Sequence, residues 1–269
     1  MKQAIFAGSF YPSSKKDCLQ FIHDFSAPIT IPTCSKKPLA IVAPHAGYVY
    51  SGKVAAHAFK SIQDFSYKRA LILGPSHRYH FNGVSFLSED SYETPLGAVE
   101  IDQDCVLALT RESEMFSNDS QAYSNEHSIE VELPFLKSCF PSLPIVPIVI
   151  GRYSPSILHD LATAIIRHCK REETLLVVST DLSHFYPSDI AEKMDKKAID
   201  IMLRQDSDEL ERESRKESIQ LCGLGAMLAV LEVLKTWRCE TVDYLSYCHS
   251  GDQSGDNSRV VGYSALRYS

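Results

Sequence analysis

LILGPSH, residues 71–77, is an apolar run that turns through Gly74 and Pro75 and ends on His77. Apolar residues that follow one another without alternation mark a strand buried on both faces, as in a parallel sheet covered by helices. The same order of residues recurs in LAIVAPH (39–45), which ends on His45, and in LLVVSTDLSH (175–184), which ends on His184. Ile145 to Ile150 is a fourth run of this kind. Val84–Leu87, Val99–Ile101, Val242–Tyr247 and Val260–Leu266 read as further strands, with antiparallel pairing open among them.

Between these runs lie helical patterns. Lys53–Ile62 follows Ser51 as an N-cap, and Pro155–Cys169 follows Ser154. Ser128–Phe140 carries apolar residues on one side, with Pro134 in a first turn or at a kink. Lys193–Arg204 and Leu224–Trp237 complete the set, the latter behind CGLGA, whose small residues permit close backbone packing. Strand and helix alternating in this way predict one α/β domain over residues 1–269, with a central, mostly parallel or mixed sheet flanked by helices on both faces.

Composition narrows the function classes. The chain has 269 residues, 44% of them hydrophobic and 23% charged, with a formal net charge of -7. An acidic balance without a basic stripe offers no footprint for nucleic acid or for an anionic membrane surface. No apolar run approaches the roughly 20 residues that span a bilayer, and MKQAIFAGSFYPSSKKD turns polar too early for a signal peptide. A cytoplasmic location is expected. Eight cysteines without a CxxC pair fit free thiols in a reducing compartment, each read first as a small buried hydrophobe. The sequence has no P-loop, no G-x-G-x-x-G after a strand and no G-x-S-x-G elbow.

The strand ends carry the functional signal. In an open α/β sheet, ligands bind beyond the carboxyl ends of the strands, where loops from distant parts of the sequence converge. Three of the four best strands end there in histidines 45, 77 and 184, and neutral imidazoles that face one crevice suit a divalent metal. Pro44 and Pro75 stiffen the approach to two of them. Asp181 can orient His184 or a bound water, and a turn-capping role fits it equally. His127, in NEHSIEVELPFL, reads either as part of a helix start or as a pocket-lining residue. Tyr48, Tyr50, Phe185 and Tyr186 read as pocket walls or as packing.

Seven blocks, in order, strongly resemble the Memo family: AGSFYP, PHAGYVYSG, GPSH, TPLGAVEID, NEHSIEVELPFL, STDLSHF and VVGYSAL. The resemblance implies a fold shared with class III extradiol ring-cleaving dioxygenases. It also implies a non-heme Fe(II) site, in which His45 and His77 look like the two histidine ligands and His184 like the acid/base residue. For some members it implies a cysteine ligand in the loop before the last strand. Counted back from VVGYSAL, Cys248 falls too early, so Asp252 in Gly251-Asp252-Gln253 is the expected third ligand.

Three functions follow as expectations. The first is an Fe(II)-dependent oxidoreductase acting on a small molecule. The second is a non-catalytic module that binds a peptide or a metal in the strand-end pocket. The third is a zinc metallohydrolase. Zinc and copper are the alternative metals, and a radical S-adenosylmethionine enzyme is a partner implied by the family resemblance.

Overall fold

The computed structural model describes residues 1–34 and 36–269. In chain order the elements are α1 (Lys15–Ser26), β1 (Ala40–Ala43), α2 (Tyr48–Lys60), β2 (Arg69–Pro75), β3 (Val84–Phe86), β4 (Ser91–Tyr92), β5 (Val99–Glu100), α3 (Gln103–Thr110) and β6 (Phe116–Ser117). After two short 3-10 turns come α4 (Leu133–Cys139), β7 (Ile145–Ile150), α5 (Pro155–His168), β8 (Thr174–Ser179), β9 (His184–Tyr186), α6 (Ser188–Leu203) and α7 (Ser207–Arg215). The chain ends with α8 (Leu224–Thr236), β10 (Val242–His249), α9 (Gly251–Ser254) and β11 (Val260–Tyr268).

The main sheet runs β10-β11-β1-β8-β2-β7-β3-β6, with β9 paired to β11. Its centre, β1-β8-β2-β7, is parallel throughout. All of Ala40–Ala43, Ala70–Leu73, Ile145–Ile150 and Leu175–Ser179 are buried, which is why these strands read as unbroken apolar runs. The flanks are antiparallel: β11 pairs with β1, β10 with β11, and β3 with β7. The sheet is therefore mixed, with helices on both faces. On one side α2 packs on β1, β10 and β11 and against α1 and α4; elsewhere α8 packs on β2 and β8 and against α5.

Two expectations about helices change. α2 begins at Tyr48 behind Gly47, and Ser51 lies inside it, its hydroxyl donating back to the Ala46 carbonyl at 2.9 Å instead of capping the start. The 128–140 segment divides into a 3-10 turn (Glu130–Glu132) and α4, with Pro134 in the first turn of α4, where its missing N–H costs no hydrogen bond. α1, α3 and α7 carry no expectation from the sequence; α7, SDELERESR, buries only Leu210 and Glu213 and has almost no apolar stripe to read. No helix among the described residues is long and apolar enough to cross a membrane.

Candidate metal centre

β8 lies between β1 and β2, so the chain leaving β1 and the chain leaving β2 emerge on either side of the end of β8. The register pairs Ala43 with Ser179. His45 and His77, each two residues beyond its strand, therefore flank Ser179 at the carboxyl rim, and their rings pack edge to face with centroids 5.1 Å apart.

His45 is buried, with Nδ1 2.8 Å from Ser179 Oγ. The Ser179 hydroxyl donates to the Ser128 carbonyl at 2.5 Å and lies 2.9 Å from Glu132 Oε1. The single hydroxyl proton is thereby used, so His45 Nδ1–H donates to Ser179 and Nε2 keeps its lone pair. Burial, and then the neighbouring charge of His77, lower the His45 pKa to about 3, leaving a neutral imidazole. Burial also holds the Glu132 carboxyl well above the carboxylate range, and its second oxygen has no hydrogen-bond partner. A protonated acid tolerates that position, whereas an anion would be costly there.

His77 is fixed in a parallel manner. Its backbone N–H donates to Glu126 Oε2 at 2.5 Å and its Nδ1–H to Oε1 at 2.8 Å, which leaves Nε2 as the free nitrogen. Burial pushes the Glu126 carboxyl up, but the hydrogen bond and charge of His77 outweigh it and hold the group at about 2. A carboxylate behind a ligating histidine fixes both the tautomer and the ring orientation. Gly74 permits this approach, since a Cβ there would meet Ser128 Oγ at 2.7 Å.

The third side chain of the cluster is Cys222. Its Sγ is 3.2 Å from His45 Nε2, and ligand atoms of His45, His77 and Cys222 all lie within 4.8 Å of one another. Bonds of about 2.0–2.1 Å to nitrogen and about 2.3 Å to sulfur set donors roughly 3.3–3.8 Å apart in a tetrahedral site, so the cluster needs little adjustment to hold one ion. Burial and then the Asp181 charge raise the thiol to about 12, and the Asp181 backbone N–H donates to Sγ at 3.2 Å. The sequence shows Cys222 only as the head of CGLGA. Its signal was Gly223: a Cβ there would meet Thr180 Cβ at 2.6 Å and the Ser179 carbonyl at 2.7 Å, and this contact brings the loop onto the end of β8.

Asp252 does not join His45 and His77. It sits in α9 and accepts the His249 backbone N–H at 2.9 Å, with its side chain 50% exposed. β10, which leads into α9, is two strands from β1 and four from β2. At about 4.8 Å per strand, the gap to β2 is some four spacings, far beyond an aspartate side chain.

Asp181 is buried and its Oδ1 accepts the His45 backbone N–H at 2.9 Å, so the structure shows it holding the β1 loop. His184, in β9, donates Nδ1–H to the Leu182 carbonyl at 2.7 Å, which leaves Nε2 basic. His127 joins the histidine cluster, stacked on His77 at 4.6 Å between ring centroids, and burial followed by its two histidine neighbours lowers it to about 4. The aromatic cover on His127 comes from Phe6 and Phe10, with centroids 5.6 and 4.8 Å away. Tyr48 is instead a core residue whose hydroxyl donates to the Val131 carbonyl. Buried Glu130 ties down the segment carrying Phe6 by accepting the N–H groups of Ile5 and Phe6 and the Tyr11 hydroxyl.

Fold and site define an α/β protein with two histidines and a cysteine gathered at the carboxyl rim of a mixed sheet. The chain belongs to the Memo family, since the family model described as Memo-like protein matches residues 2–267. A MEMO1 family protein of Thermoplasma volcanium is 33% identical over 261 residues, covering 97% of this chain and 95% of the relative. One from Methanopyrus kandleri is 34% identical over 272 residues, covering 97% and 96%. One from Nitrosopumilus maritimus is 31% identical over 274 residues, covering 100% and 99%.

Proposed function

We propose that the protein is a mononuclear metal-dependent oxidoreductase of the non-heme iron, dioxygenase-like type, with His45 Nε2, His77 Nε2 and Cys222 Sγ as its metal ligands. The convergence of these atoms within 4.8 Å carries the reading. Two neutral nitrogens and one sulfur leave a coordination position open for a small molecule, and a sulfur donor in place of a carboxylate brings copper into competition with Fe(II). The bound metal would supply a redox-active Lewis acid.

The chain's own residues supply the rest. Ser179 and Glu126 hold the two imidazoles in the Nε2-free tautomer. His184 Nε2 is the base that takes a proton from a bound substrate hydroxyl, since its Nδ1–H is already used by Leu182. Phe6 and Phe10 exclude water from the His127 side.

Elemental mass spectrometry of protein purified without added metal tests the reading. Iron or copper at one atom per chain is expected. Zinc at that ratio would contradict redox chemistry in favour of the hydrolase, and no bound metal would favour the non-catalytic module. His184→Ala should keep the metal, and its loss would make His184 a ligand.

A further inference from the structure

The amino ends of the central strands hold a second pair of reactive side chains. Cys105 Sγ and Cys169 Sγ lie 3.7 Å apart. Cys105 is in the first turn of α3, its backbone N–H bonded to the cap residue Asp102 at 3.0 Å, and Cys169 caps the carboxyl end of α5. Arg69, the first residue of β2, places Nε 3.3 Å from Asp102 Oδ2, yet that buried nitrogen has no hydrogen-bond partner of good geometry. We infer that Cys105 and Cys169 form an oxidisable dithiol, with Cys105 as the thiol that attacks a hydroperoxide and Cys169 as the one that resolves the product into a disulfide.

The surroundings favour this division of roles. A thiolate is the nucleophile, and a cation or the amino end of a helix stabilises it. The hydrogen bond from Cys169 and the Arg69 guanidinium hold the Cys105 thiol below its ordinary value against the effect of burial, while Cys169 is pushed up, first by its bond to Cys105. Both thiols sit at helix ends, where a small shift costs less than in mid-helix, and closing the bond requires the sulfurs to move from 3.7 Å to about 2.05 Å. Exposures of 3% and 4% restrict access to water-sized oxidants.

The chemistry balances in two steps. Cys105 sulfur attacks a peroxide oxygen: the S–O bond forms, the O–O bond breaks, and the leaving hydroxide takes the thiol proton and departs as water. Cys169 sulfur then attacks the sulfenic sulfur: the S–S bond forms, the S–O bond breaks, and a second water leaves with the Cys169 proton. Two thiols lose two electrons and hydrogen peroxide becomes two waters. β2 is seven residues long, so the pair lies about 20 Å from the histidine rim, joining α3 to α5 without touching the proposed metal ligands.

The test treats reduced full-length protein with hydrogen peroxide, alkylates the remaining thiols in denaturant and maps the peptides by mass spectrometry. The expected product is a Cys105–Cys169 linked peptide, lighter by two hydrogens and reversed by dithiothreitol. In Cys169→Ser, a sulfenic acid on Cys105 should be trapped by dimedone, whereas in Cys105→Ser residue 169 should stay a free thiol. Oxidation of other cysteines with this pair left alkylated, or trapping at Cys169 in Cys105→Ser, would overturn the assignment. Metal content of both variants should equal that of the parent, which separates this result from any result at the histidine site.

Discussion

The parallel centre of the sheet and its antiparallel edge reach the same rim by different routes. In the centre every strand ends at that rim, so loops from residues 45, 77 and 181 accumulate around the end of β8. At the edge β10 also ends there, but it turns back through α9 into β11, and Asp252 in α9 accepts the backbone N–H of its near neighbour His249. Donors far apart in sequence meet where strands are parallel, whereas a hairpin gathers its own neighbours. Cys222 joins the central group because Gly223 lets its loop lie on Ser179 and Thr180.

The largest effect expected from this contrast is on metal binding. His45→Ala and His77→Ala should each abolish stoichiometric metal with the circular dichroism spectrum retained, Cys222→Ser should weaken its binding without abolishing it, and Asp252→Asn should leave it unchanged; equal loss in Asp252→Asn would erase the distinction. Stability should divide along the same line. Leu71→Ala, in a fully buried central strand, should cost about 2–5 kcal/mol in denaturant unfolding. Tyr244→Ala, on the half-exposed face of β10, should cost under about 1 kcal/mol.

Smaller still is the effect of the groups behind the ligands. Ser179→Ala should weaken metal affinity about 10–100-fold in a competition titration, because His45 loses the partner that fixes its tautomer. Glu132→Gln should change affinity and stability least, within about 0.5 kcal/mol, since burial already keeps that carboxyl neutral. A large loss in Glu132→Gln would mean that the anion matters.

The central strands were legible because burial on both faces leaves no alternation to misread, and His45 and His77 were legible because each closes such a strand. Cys222 was not, since nothing local distinguishes a ligand cysteine from a packed one; its placement depends on a glycine whose contact lies more than forty residues away, at Thr180. Asp252 misled because distance along the chain to the last strand says nothing of how many strands intervene. His127 fits two readings in the sequence because its local pattern does not show the distant His77 ring on which it stacks. α7 is not legible in the sequence because its charged face dominates the pattern.

X-ray absorption spectroscopy of the metal-loaded protein tests the donor set most directly. One sulfur at about 2.3 Å together with imidazole nitrogens at about 2.0–2.1 Å is the expected first shell, and the sulfur should vanish in Cys222→Ser. A shell of nitrogen and oxygen alone, unchanged in that variant, would contradict the assignment of Cys222 to the site.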